Sequence, residues 1–454
     1  MTYLRKTFIW IIILVGIGGY SFLDLENARL NEVAKEEATR LFPFGPDEVL
    51  SIVIKKEESE IEIELERWED GWRVVKPYMA KADTKAVEKF LVQVTNSRND
   101  AEYVMESEPS PERLAEFGLA IPTLFLTLKI GRELTEHTLI IGDRAPSMGV
   151  AFAQIQGEKP VYRVLADVRS EADKDIHYFR DKSVLRLNTM MIDQVAINRP
   201  ESSIRVKLPA DGKWALEKPI QARADHIRMF ELMNTYANAE VKEFVVESKD
   251  DLASYGLDKP RIELTFWISG DSAPTTKLKI GNRSPKKRGY YVSMSDRENI
   301  FLIGEKEVDL VPTDPNDLRS RELFFIERDK LERIEIHESS KSIVIVKGVD
   351  KEWRRSKKDG EIVDFNLVKA FLDELLELRI DDFLKGDKKK AAAYGLEPPR
   401  ARLLLWMEGS SVPIGVKVGK TTPAGNSVYA TYGGSSEIVV FSDEIKRILR
   451  TYLF

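Results

Sequence analysis

The chain has 454 residues, 43% hydrophobic and 32% charged, with 26 Gly and 20 Pro. That is about three times the common domain size of roughly 150 residues, and too apolar for a disordered or collagen-like chain, so two to four domains with buried cores are expected. A formal net charge of -6, from 69 Lys+Arg against 75 Asp+Glu, leaves no overall positive field to draw nucleic acid, and the absence of cysteine removes disulfides, thiolate nucleophiles, Cys-ligated zinc and Fe–S clusters.

From Thr7 to Leu23 no residue is charged, and Phe8, Trp10, Ile11, Ile12, Ile13, Leu14, Val15 and Ile17 make the run strongly apolar. As a helix it spans roughly 25 Å, the short end of what crosses a hydrocarbon core, so an N-terminal transmembrane anchor is expected over residues 1–23. Arg5 and Lys6 precede the run and Asp24 follows it. That asymmetry places the N-terminus in the cytoplasm and the rest of the chain on the far side of a membrane crossed once. The alternative is a cleaved signal peptide, for which Gly19 and Ser21 are suitably small. Residues 24–45, with Leu25, Leu30, Val33 and Leu41 apolar among Glu, Lys and Arg, read as a juxtamembrane helix ending before Pro43.

Beyond residue 45 the same landmarks occur three times. Trp72, Trp214 and Trp353 are 142 and 139 residues apart, and eleven residues after each stands Asp83, Asp225 or Asp364. Each Asp precedes an amphipathic run, such as Val87, Phe90 and Leu91 or Val368, Phe371, Leu372 and Leu375, and is positioned to cap a helix start. Gly118, Gly256 and Gly395 each follow an aromatic residue and precede Leu, with Pro122, Pro260 and Pro399 four residues on. A left-handed glycine, an apolar contact and a proline predict the end of a short helix, capped eight residues earlier by Ser110, Ser248 or Asp387. Alternating runs then predict strands at Leu124–Ile130 and Ile262–Ile268, and the following strand runs into a turn marked by Gly142, Gly281 or Gly419 with proline four residues later. Arg180, Arg319 and Arg450 recur near the copy ends and are expected to tie one copy to the next. The expected organisation is an α+β protein: three tandem copies of a mixed, mainly antiparallel unit over 46–189, 190–329 and 330–454, after an N-terminal transmembrane helix.

An apolar N-terminal run followed by repeated units with a Trp strand, an Asp-capped helix, Gly-Leu-x-x-Pro and an Ile-Gly turn resembles the domain-of-unknown-function family 4340 over nearly the whole chain. The family has no assigned catalytic residues to carry over. The resemblance implies a bacterial envelope protein, of a kind often encoded beside ATP-binding-cassette exporter components similar to those of gliding-motility systems. The third copy departs from the pattern, since Pro77 and Pro219 follow the first two Trp residues where Lys358 stands in the third.

Motifs for chemistry are sparse. Gly415 to Thr421 resembles a phosphate-binding loop but is one residue short, and in the repeat frame it is a strand. His137, His177, His226 and His337 occupy different positions in their copies, with no helical metal-pair spacing. Glu60, Glu62 and Glu64 alternate as the solvated face of a strand does, and the basic runs Arg283 to Arg288 and Lys388 to Lys390 read as solvated charge, with anionic lipid headgroups or a phosphorylated glycan as the alternative. Recurrence favours a core role for the three Trp residues over stacking on sugars. The expectation is therefore a non-enzymatic, membrane-anchored scaffold or accessory subunit with protein partners and no cofactor. A glycan or lipid-linked substrate binding module is the alternative, and a hydrolase acting on envelope polymers the remote one.

Overall fold

The structure is a computed structural model that describes residues 25–26, 28–29, 39–98, 105–145, 149–270, 272–338, 341–356, 360–384, 391–433 and 437–451. The expected anchor, Phe8 to Ile17, lies outside the described residues, as do Leu30, Val33, Asp387 and Lys388 to Lys390. Two compact units are present: one comprises the described residues up to Val184 together with Glu240–Phe244, the other Leu185–Ala239 and the described residues from Val245 on.

Three antiparallel sheets form the described body. The first has the order β4-β3-β2-β1-β5-β6-β7-β8, built from β1 (Val49–Lys56), β2 (Ile61–Trp68), β3 (Gly71–Lys76), β4 (Ala80–Lys81), β5 (Leu124–Ile130), β6 (Thr135–Arg144), β7 (Val150–Ile155) and β8 (Val161–Leu165). The second repeats that order with β9 (Ile192–Arg199), β10 (Ser202–Lys207), β11 (Ala215–Lys218), β12 (Ala222–Arg223), β14 (Ile262–Ile268), β15 (Thr276–Arg283), β16 (Tyr290–Met294) and β17 (Ile300–Ile303), and adds β13 (Glu243–Val246) beside β17. The third does the same with β18 (Leu331–Glu338), β19 (Lys341–Lys347), β20 (Trp353–Arg355), β21 (Ile362–Val363), β23 (Ala401–Met407), β24 (Ile414–Thr421), β25 (Ser427–Tyr432) and β26 (Ile438–Ser442), with β22 (Ile380–Leu384) at its edge. Each sheet is thus two meanders joined along their first strands, β1 to β5 in the first copy, where Ile52 faces Leu128 and Ile54 faces Leu126.

This architecture corrects the expected class. The described chain is mainly β, with strands carrying most of each core and helices as minor covers, rather than the expected α+β. Among the described residues no helix is long and apolar enough to cross a membrane. The local helix signals were strong because caps and punctuation are written in a few residues, whereas the short return strands β4, β12 and β21 are too brief to show alternation. The juxtamembrane helix does not continue to Leu41: Leu41, Phe42 and Phe44 lie in bends and are buried in the first core.

Period-two alternation makes one face of each sheet apolar, and the long helix covers that face. In the first copy α1 (Thr84–Thr95) buries Val87, Phe90, Leu91 and Val94 completely against the strands, each contributing about 2 kcal/mol. Its third-copy equivalent, Phe365–Glu377, buries Val368, Phe371, Leu372 and Leu375. The three Asp residues cap these helices: Asp83 accepts from the Ala86 amide at 3.1 Å, Asp225 from Ile227 at 2.9 Å and Asp364 from Asn366 at 2.8 Å. The constant spacing of eleven from Trp to Asp follows from a small hairpin. The Trp strand runs out, β4 or β12 returns against it, and the Trp72 and Trp214 carbonyls accept the Ala82 and Ala224 amides at 3.0 and 2.8 Å. Trp72, Trp214 and Trp353 are all buried.

The two glycine sets explain each other. Gly118, Gly256 and Gly395 have φ of +69°, +69° and +72°, the left-handed conformation that ends a helix or turn. The helix they end is Pro111–Glu116 in the first copy, capped by Ser110, but only the single 3-10 turn Ala253–Tyr255 in the second, where Asp251 rather than Ser248 accepts the Ser254 amide. The preceding aromatic carbonyls then turn onto the neighbouring strand: Phe117 O accepts the Asp143 amide at 2.8 Å and Tyr394 O the Lys420 amide at 2.7 Å. A Cβ at Gly142, Gly281 or Gly419 would lie 2.2, 2.2 or 2.3 Å from the carbonyl of Phe117, Tyr255 or Tyr394, so only glycine admits this approach. These glycines sit inside β6, β15 and β24, where the pairing shifts register between Ile141 and Arg144, Ile280 and Arg283, and Val418 and Thr421. They mark a bulge two residues short of the turn rather than the turn itself.

Gly281→Ala is therefore expected to destabilise the protein by about 2–3 kcal/mol, since the added methyl meets backbone that cannot yield. Thermal unfolding followed by circular dichroism checks this, and an unchanged midpoint would contradict the backbone-crossing account.

Candidate functional site

The recurrent arginines lead to the site. Within the second unit the copy-two segment ends in the 3-10 turn Pro315–Leu318, after which the chain lies along the edge of the Trp hairpin: the Asp225 amide donates to Leu318 O at 2.8 Å and the Ser320 amide to Arg223 O at 2.9 Å. Two residues later the same connector meets the third sheet, where the Ile380 amide donates to Arg321 O at 2.8 Å and Glu322 bridges Arg379. Residues 318–322 are thereby stitched on one side to copy two and on the other to copy three.

Arg319, at the centre of this connector, is buried and points into the third copy. Its guanidinium lies 3.9 Å from the Phe383 ring centroid, donates to Glu437 Oε1 at 2.7 Å and donates to Tyr432 Oη at 2.9 Å. Burial opposes the charge, but the hydrogen bonds and charges of Glu437 and Tyr432 outweigh it and hold the guanidinium pKa above its ordinary value. Burial also pushes the Tyr432 hydroxyl up, which keeps it a neutral partner. Within the first unit the same pairing is built at the same spacing: Arg180 lies 3.4 Å from the Phe244 ring centroid and donates to Tyr78 Oη at 3.0 Å. Its neighbours make the same backbone links, Asp83 N to Phe179 O at 2.8 Å and Asp181 N to Lys81 O at 3.0 Å. Arg450 differs. It lies in helix Ile445–Thr451, mostly exposed, and its Nε donates to both Glu338 oxygens at 3.0 and 3.1 Å.

Beside the connector of the second unit opens a cleft of about 840 Å³. This is within the range of pockets that hold small organic ligands. One wall is apolar, from buried Trp214 and Phe324 and the half-buried Phe325, Ile326, Leu376 and Met407. The rim carries Lys213, Arg223, Arg321, Lys330 and Arg379 against Asp225, Glu322 and Glu327. The basic groups are held in different ways. Arg223 stacks on Phe325, 4.0 Å from the ring centroid; Arg321 donates to Ile380 O at 2.9 Å; Arg379 donates to Leu376 O at 2.6 Å; Lys330 pairs with Glu327 at 2.8 Å. Lys330, and at longer range Lys213, hold the Glu327 carboxyl below its usual pKa.

The other sequence candidates are scattered. His137 packs on Phe44, His177 on Phe244, His226 lines the cleft, and His337 lies 3.3 Å from Glu335. Burial, aided by Lys182, lowers the His177 pKa. Among the described residues no group of His, Asp and Glu could hold a metal ion. Glu62 and Glu64 pair with Lys76 at 2.7 and 2.8 Å across the open face of the first sheet, and Arg283 donates to Glu305 at 2.7 Å. Gly415 to Thr421 lies within β24, and Lys420 Nζ donates to Ala393 O at 3.0 Å, so the run is not a phosphate loop. Phe244, Phe383, Phe325 and Arg223 were missed by sequence reading. The signal for two of them was present, since Phe244 and Phe383 are 139 residues apart, the same offset as Arg180 and Arg319.

The family model described as Domain of unknown function (DUF4340) matches residues 72–250, 214–399 and 363–452, three times across the chain, and the chain belongs to that family. No curated protein and no solved structure matches it.

Arg319→Gln is expected to cost about 2–4 kcal/mol, because it leaves the partly buried Glu437 carboxylate without its cation. Glu437→Gln in the same background should then cost much less than it does alone. Denaturant unfolding of the two single variants and the double variant measures this coupling, and purely additive losses would contradict the clasp.

Proposed function

We propose that this member of the family is a non-catalytic scaffold or accessory subunit of a bacterial envelope complex, held at the inner membrane through the apolar segment 7–23 with its three copies on the extracytoplasmic side. The observation that carries the reading is the use made of the recurrent residues. The Asp residues cap helices, the glycines admit backbone crossings, the Trp residues fill cores and Arg319 clasps copy to copy. What the copies have in common is thus spent on building each copy and on joining the second to the third, and the rest of their surface is left for contact with other molecules. The basic residues before the apolar run and the acidic residue after it support the orientation. The exporter association that the family resemblance implies makes an ATP-binding-cassette exporter the first partner to test.

Burial of all three Trp residues speaks against sugar stacking on them. The cleft beside Arg223 is the observation that favours the second reading, a binding module.

Cross-linking in native membranes, followed by mass spectrometry of the tagged full-length chain, is expected to recover exporter subunits reproducibly. A version lacking Met1 to Leu23 and exported by a cleavable signal should retain part of that recovery, because the copies supply the contact surfaces. Recovery of no protein partner with either form would contradict the scaffold reading.

A further inference from the structure

We infer that the cleft between the second and third copies is a binding site for an organic anion, with an acidic headgroup held by Lys213 and Arg223 and an apolar or planar body lying against Phe325, Ile326 and Met407. This goes beyond the scaffold reading and does not depend on it.

Charge is the first reason. The chain as a whole carries -6, yet five basic residues line the cleft against three acidic ones. The acidic groups are largely committed: Asp225 caps its helix by accepting the Ile227 and Arg228 amides, and Glu327 pairs with Lys330. Among the described residues no carboxylate lies in ion-pair contact with the side chain of Lys213 or Arg223. An excess of cationic groups over an apolar floor, on an acidic protein, selects for negative charge in the ligand.

Preorganisation is the second. Arg223 is not a freely waving surface arginine. Its guanidinium lies on the Phe325 ring at 4.0 Å, and the backbone of Arg223 is fixed to Ser320 at 2.9 Å. Stacking occupies a face of the guanidinium and leaves its in-plane N–H groups to donate to an anion. Phe325 follows directly after the connector and Arg223 is bonded to it through Ser320, so the Arg319 clasp a few residues away bears on both halves of the site.

Shape is the third. Phe325, Ile326 and Met407 are half-buried rather than covered, and they face a volume that suits a small organic molecule. An inorganic ion would leave this wall wet. An uncharged apolar molecule would cover it but desolvate the cations without repayment. Only a ligand with both parts uses the whole cleft.

Isothermal titration of the full-length protein in micelles, corrected against empty micelles, separates the two parts with three probes: 1-naphthyl phosphate, inorganic phosphate and 1-naphthol. The phosphate ester is expected to bind at one site per chain, at least tenfold more tightly than either fragment. Raising salt from 50 to 300 mM should weaken it several-fold. K213Q/R223Q should lower its affinity at least tenfold with unchanged circular dichroism, and R223K should restore little of it, since lysine neither stacks nor donates in plane. Dihexanoyl phosphatidate, soluble as a monomer, distinguishes the sources of the anion: tighter binding than the naphthyl ester assigns a lipid headgroup with its chains, weaker binding a soluble planar ester. Inorganic phosphate or 1-naphthol binding as tightly as the ester, no binding of the ester at all, or ester affinity unchanged in the folded K213Q/R223Q variant would overturn the inference.

Discussion

A guanidinium buried between two copies must be compensated on every side, and that requirement organises the second unit. Arg319 gives up water, and regains a carboxylate, a phenol and an aromatic face, all three supplied by the third copy. Because each partner is directional, the connector can settle in few ways, and the backbone links at Asp225, Ser320 and Ile380 follow from where the side chain must point. The cleft is a by-product of the same constraint. It lies where the Trp hairpin of copy two, residues 320–330, and Leu376, Arg379 and Met407 of copy three meet.

The repeated units owe their own stability to the residues that recur in them. The bulge glycines let the end of the short helix press its aromatic carbonyl against a strand, and the Asp caps start the helix that covers the sheet. The third copy ends differently. Its Arg450 turns to Glu338 of the same copy, where Arg319 reaches forward to Phe383. The arginines near the copy ends therefore do two jobs: Arg319 joins its copy to the next, and Arg450 is held within its own.

What could be read from the sequence was what is local. The Asp caps, the left-handed glycines, the strands at Leu124–Ile130 and Ile262–Ile268 and the threefold copy number each depend on a few neighbouring residues, and all are present in the structure. The fold class was misjudged because helix punctuation is conspicuous whereas strands of two or three residues are not. Gly142, Gly281 and Gly419 read as turn residues in the sequence but mark bulges in the fold, because a bulge is defined by its partner strand and the partner is distant in sequence. Phe325 and Arg223 were invisible for the same reason. About a hundred residues separate them, neither recurs as a landmark, and only the folded connector brings them together.

The central claim is that the second and third copies form one ordered pair held by Arg319, and that this order maintains the cleft. The chain contains no cysteine, so a pair of spin labels can be placed without competing sites. Labels on cysteines replacing the exposed Arg228 and Glu377, read by pulsed electron–electron resonance in the full-length protein, test it directly. The account predicts one narrow distance distribution that broadens when Arg319→Gln is added. A broad or multi-peaked distribution in the unaltered background, or one indifferent to Arg319→Gln, would contradict it.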